Sequence, residues 1–80
     1  MRLDKFLKVS RIIKRRTVAC EFADSGRVMI NGKIAKPAAA VKVGDVLTLS
    51  SGGRETRYEI LDIRENVRAN EAEQMYKILE

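Results

Sequence analysis

Arg2, Lys5, Lys8, Arg11, Lys14, Arg15 and Arg16 put seven cations into the first sixteen residues, MRLDKFLKVSRIIKRR, against a single acid, Asp4. That stretch carries +6, whereas the whole 80-residue chain carries +5, so the remainder carries −1. Charge segregated this way attracts a polyanion, because each phosphate neutralised by a cation releases condensed counterions. Nucleic acid is the leading partner on that ground. An acidic membrane or protein surface is the alternative, and a solvated basic end is the reading without function.

The placement of the charges adds to their number. Lys14, Arg15 and Arg16 fall where a second helix should begin, beside free backbone N–H groups and the positive end of the helix dipole. Stability alone would favour Asp or Glu there. Three cations make sense if an anion arrives from outside, since a helix N-terminus offers N–H donors and flanking Arg side chains add charge-assisted contacts.

Other chemistries find little support. The chain has no His, no metal-ligand cluster and no glycine-rich phosphate loop, so no enzyme, metal or cofactor is expected. Cys20 has no base paired with it in the sequence and reads as a small packed residue beside Ala19. Ser51-Gly52-Gly53 reads as a turn, and Asp45 and Glu59 as turn and strand-exterior carboxylates. Phe6 and Phe22 lie on expected core faces, leaving no aromatic platform on which bases would stack. What remains is recognition of backbone and shape, which suits structured RNA. Duplex DNA fits less well, because Val18 to Asp24 offers almost no side chain for reading base edges.

The elements that must carry these residues follow from periodicity. Leu3, Phe6 and Leu7 fall on one side of a first helix, with Lys5 and Lys8 opposite and Asp4 spaced to pair with Lys8 on the exposed side. Ser10 to Lys14 connects, with Ile12 and Ile13 in the core. A second helix runs from Arg15 to Asp24, with Val18 and Phe22 on one stripe and Ala19 and Ala23 on another, and Gly26 ends it. The period then changes to two. Val28–Ile30, Asn31-Gly32 and Lys33–Lys36 predict a hairpin on a type I′ turn, with Pro37 ending the return strand. Val43-Gly44-Asp45 turns into a strand over 46–49, and residues 55–63 form a further strand. In the tail, Asn70 and Glu73 resemble a capping box opening a short helix with Met75, Ile78 and Leu79 on one face. The expected class is α+β, two N-terminal helices packed on a small, mostly antiparallel sheet.

With 80 residues, one domain is expected over 1–80, and 45% apolar residues allow it a core. One cysteine excludes an intramolecular disulfide, and no stretch reads as a signal peptide or a membrane span. A soluble cytoplasmic protein is the expectation.

The ordered set RLDKFL at 2–7, Arg16 near the start of helix two, Gly26, V-x-I-N-G-K at 28–33, Lys36-Pro37 and Val43-Gly44-Asp45 resembles the S4 RNA-binding domain family over roughly residues 1–50. The resemblance implies the S4-like (αL) fold, with a helix–turn–helix face and the adjoining hairpin binding rRNA or tRNA. Arg2, Asp4, Lys5, Arg11, Arg16, Asn31 and Lys33 occupy positions that match the family pattern, and Lys8, Lys14 and Arg15 would widen the same patch. One departure is Arg15, where family members often carry a capping Ser. Among free-standing members, the chain looks most like the small S4 proteins of bacterial ribosome-associated quality control, and is similar to the heat-shock S4 proteins of stalled large subunits. That resemblance implies binding to 23S rRNA and tRNA on a 50S subunit carrying peptidyl-tRNA, alongside a NEMF-family factor that adds alanine tails. An adaptor whose main partner is a protein, presented by residues 55–80, is the competing reading.

Overall fold

The computed structural model describes residues 1–79. Helix α1 spans Leu3–Val9 and helix α2 spans Arg16–Asp24. Strands β1 (Val28–Ile30) and β2 (Lys33–Ile34) form the hairpin, β3 (Val46–Ser51) and β4 (Arg54–Ile60) follow, and a 3-10 helix over Ala69–Met75 leads into β5 (Tyr76–Leu79). All four strand pairings are antiparallel, in the order β2-β1-β3-β4-β5.

Leu3, Phe6 and Leu7 are fully buried, as their spacing requires, and meet Val28, Leu47 and Ile60 from the sheet in one core. On α2 the buried stripe is Ala19 and Ala23; Val18 is 45% exposed and Phe22 only partly buried. Phe22 thus packs against the core as expected, though only partly buried, whereas Val18 on the same stripe faces solvent. Small alanines let the two short helices approach closely, and Arg27 lies 5.8 Å over the Phe22 ring.

Asn31 and Gly32 adopt φ of 51° and 82°, the two positive values a type I′ turn needs. Strand β2 is shorter than its sequence suggests, although Ala35 still donates to the Val28 carbonyl at 2.9 Å. The segment that follows crosses the start of α1. Leu3 N–H donates to the Ala39 carbonyl at 2.8 Å and Asp4 N–H to the Pro37 carbonyl at 3.2 Å. Backbone thus occupies N–H groups of the first turn of α1 that a helix leaves free.

The tail departs most from expectation. The 3-10 helix opens after Arg68, not at an Asn70 cap, and Tyr76–Leu79 pairs with β4 as an edge strand instead of continuing a helix. Strand β4 ends at Ile60, not at residue 63. Leu61 N–H then donates to the Met75 carbonyl at 2.8 Å, so residues 61–75 form a closed excursion. Ile63 and Val67 pack on the core from this excursion, and Met75 is fully buried. Tyr76 meets Tyr58 edge-on at 5.4 Å, and burial raises its phenol above the usual value.

Candidate nucleic-acid interface

The seven N-terminal cations divide into two sets. Three are held by carboxylates. Asp4, whose side chain is 4% exposed, accepts from Arg2 Nε at 3.1 Å and Arg2 Nη2 at 3.2 Å. It also accepts from Arg16 Nη2 at 3.4 Å and from the Lys5 N–H at 2.8 Å. Asp4 is thus not the exposed partner of Lys8 that its spacing suggested. Its carboxylate is almost fully buried and already holds four donors of the fold. Instead it draws together Arg2, which precedes α1, and Arg16, which opens α2. Both guanidinium groups remain about half exposed, at 51% and 47%, so each keeps donors for an outside anion.

Lys5 is held differently. Its Nζ bridges to Glu65, sixty positions away on the excursion after β4. The hydrogen bond and charge of Lys5 hold the Glu65 carboxyl below its ordinary value. Nothing in the sequence announces this contact, because it depends on where the excursion folds back.

Lys8, Arg11, Lys14 and Arg15 have no carboxylate partner among the described residues. The first three line one side of a cleft of about 170 Å³, with Glu65, Asn66 and Val67 on the other side. Arg11 enters it from a left-handed backbone, φ 62°. That conformation closes α1, with Arg11 N–H donating to the Lys8 carbonyl and Ile13 N–H to the Leu7 carbonyl, both at 3.0 Å. Glycine is the usual residue there, and arginine costs about 1 kcal/mol more.

Arg15 is the N-cap of α2, extended and with no side-chain cap, as the missing Ser implied. The N–H groups of Arg16, Thr17 and Val18 have no acceptor among the described residues. The two helix starts therefore differ: α1 is crossed by backbone, whereas α2 presents free donors beside Arg15 and Arg16.

The hairpin residues separate. Lys33 is exposed and unpaired among the described residues. The Asn31 side chain, on an exposed turn, is engaged by the fold: Nδ2 donates to Asp45 Oδ1 at 3.1 Å and Oδ1 accepts from Val46 N–H at 3.0 Å. Buried Asp45 also accepts from Lys42 N–H at 3.0 Å. Asn31 thus fastens the hairpin to the turn before β3. No group of three or more His, Cys, Asp or Glu is placed to hold a metal among the described residues, and no helix there is long and apolar enough to cross a membrane.

Known proteins match this arrangement along its whole length. The S4 domain family profile matches residues 1–47. A Bacillus subtilis protein named "RQC P-site tRNA stabilizing factor" is 51% identical over 79 residues, covering 99% of this chain and 92% of that protein. Its namesake from Halalkalibacterium halodurans is 49% identical over 78 residues, covering 98% and 89%. Among solved structures, trimeric heat shock protein 15 from Vibrio cholerae superposes with a TM-score of 0.89 at 38% identity, covering 99% of this chain and 81% of that one. With fold, core and N-terminal motif all in agreement, this chain belongs to the S4 domain family.

Proposed function

We propose that the protein is a non-catalytic, cytoplasmic RNA-binding factor of ribosome-associated quality control. In this reading it binds 23S rRNA and tRNA on obstructed 50S subunits carrying peptidyl-tRNA. It supports a NEMF-family factor in adding C-terminal alanine tails to stalled chains. The observation that carries the reading is the joint one: half the residues are shared, over almost the full length, with factors named for P-site tRNA stabilisation, and Arg2 and Arg16 share the Asp4 carboxylate where α2 begins after Arg15. Arg15 and Arg16 clamp phosphate beside the free N–H groups of α2. Arg2, Lys5, Lys8, Arg11 and Lys14 extend the surface, and Lys33 adds to it from the hairpin. The likeness to heat shock protein 15 favours a second reading, rescue of stalled 50S–nascent chain complexes without tailing.

The test is sedimentation of lysate carrying the tagged protein. Wild type should travel with 50S subunits carrying peptidyl-tRNA, and Arg16→Ala should weaken that association by about 1–3 kcal/mol, the range for a charge-assisted contact. The Arg16→Ala midpoint of thermal unfolding should stay nearly unchanged, because Asp4 retains Arg2 and the Lys5 N–H. Wild type found away from all ribosomal particles would overturn the reading. Steep loss of binding with salt supports phosphate contacts; a shallow dependence would favour a protein as the main partner.

Arg11→Gly separates binding from stability. Glycine relieves the left-handed backbone but frees the unfolded chain, so the midpoint should hold or rise slightly. Binding should weaken at every salt concentration, with the slope of log affinity against log salt reduced by about one phosphate contact. Thermal melts and salt-titrated binding of the same sample check both halves.

A further inference from the structure

We propose that the cleft between the end of α1 and the excursion after β4 receives a single unpaired nucleotide of the bound RNA. The inference rests on the RNA-binding reading and deepens it.

The two walls of the cleft differ in chemistry. Lys8, Arg11 and Lys14 form the first, and no described residue neutralises them. The acid in the cleft, Glu65, is engaged by Lys5, so the site keeps a positive balance. Asn66 lies on the opposite wall, and its side-chain amide has no hydrogen-bond partner among the described residues. Val9, almost fully buried, and partly buried Val67 complete the lining.

Phosphate alone would need only the cationic wall. An unengaged amide on the facing wall adds what a base edge requires, a donor and an acceptor side by side. An Asn amide complements adjacent donor and acceptor positions on an adenine edge. At about 170 Å³ the cleft is too small for a helix of RNA. Sequence-specific RNA recognition commonly works through unstacked nucleotides of this kind. The left-handed backbone at Arg11 has a reason here as well, since it turns the chain at the rim of the cleft, between Lys8 and Lys14.

The experiment uses the full-length, nitrogen-15-labelled chain at neutral pH, titrated separately with adenosine 5′-monophosphate and with ribose 5-phosphate. Both ligands should move the backbone resonances of Lys8, Arg11 and Lys14. Only the nucleotide should move the Asn66 side-chain amide, and it should bind about tenfold more tightly. Asn66→Ala should bring the two affinities to about the same value by weakening only the nucleotide. A hairpin RNA with one bulged adenosine should displace the nucleotide, and its fully paired counterpart should do so about tenfold less well. Equal binding of the two small ligands to wild type would overturn the proposal, as would an unmoved Asn66 resonance. Failure of the bulged hairpin to compete would overturn it for RNA, leaving a site for free nucleotide. None of these readouts involves the ribosome. A chain that sediments with 50S subunits but fails them keeps its RNA-binding role and loses only the cleft.

Discussion

Asp4→Ala lowers the thermal unfolding midpoint and weakens RNA binding together, whereas Arg16→Ala affects chiefly the binding. The carboxylate accepts four hydrogen bonds, three from guanidinium groups and one from the Lys5 backbone. Alanine removes all four. The two arginines are half exposed and can turn to water, which limits the loss to about 1–3 kcal/mol. For a domain of this size each kcal/mol moves the midpoint by about 4–8 °C. Binding falls by about tenfold or more, because both Arg2 and Arg16 lose the acceptor that positions them and must be ordered by the RNA itself. Asp4→Asn should lie between, keeping an acceptor for the Lys5 N–H and losing the charge. Melting curves and filter binding on the three variants decide the matter. A variant that melts like wild type would show that the Asp4 cluster adds no stability.

Asn31→Ala is expected to be the more damaging change to the fold. Alanine at φ 51° incurs the left-handed penalty of about 1–2 kcal/mol. It also removes the amide that joins Asp45 to Val46, leaving a buried carboxylate with one partner fewer. A lost hydrogen bond to a charged group adds about 1.5–3 kcal/mol, so the total is about 2.5–5 kcal/mol, a large share of a small domain's stability. Asn31→Gly separates the two causes. It keeps the backbone and loses the bonds, so it should retain roughly half of what alanine loses. Denaturant titration of both variants checks the order. If Asn31 were an RNA contact only, both would unfold like wild type and differ in binding alone.

These two residues show where a linear reading works and where it stops. The turn at Asn31-Gly32 was legible because two positive φ angles are a local demand, answered by residue types that tolerate them. The buried stripe of α1 was legible for the same reason: Leu3, Phe6 and Leu7 share a side of any helix. The partner of Asn31 was not, since Asp45 lies fourteen positions away and meets it only through the pairing of β1 with β3. Asp4 misled because its spacing to Lys8 is a real helical neighbourhood. The direction of α1 in the core overrode it and turned Asp4 toward Arg16. On α2 both candidate stripes were apolar at the right spacing, and close approach to α1 fully buried the alanines, while Phe22 packs on the core only partly buried and Val18 stays exposed.

The excursion marks the limit most clearly. Residues 61–79 lack strong periodicity, so their course was set by docking: Ile63, Val67 and Met75 found the core, and Tyr76–Leu79 took the open edge of β4. Glu65 and Asn66 came to the cleft beside Lys8, Arg11 and Lys14 by that route and carried no local signal. By itself the sequence determined the basic N-terminal segment, the two helices, the hairpin and the S4 resemblance, because charge, helical period and turn geometry act between near neighbours. Only the tertiary structure decided which cations are paired and which are free, because ion pairs and clefts form between segments that the chain brings together after its local elements exist.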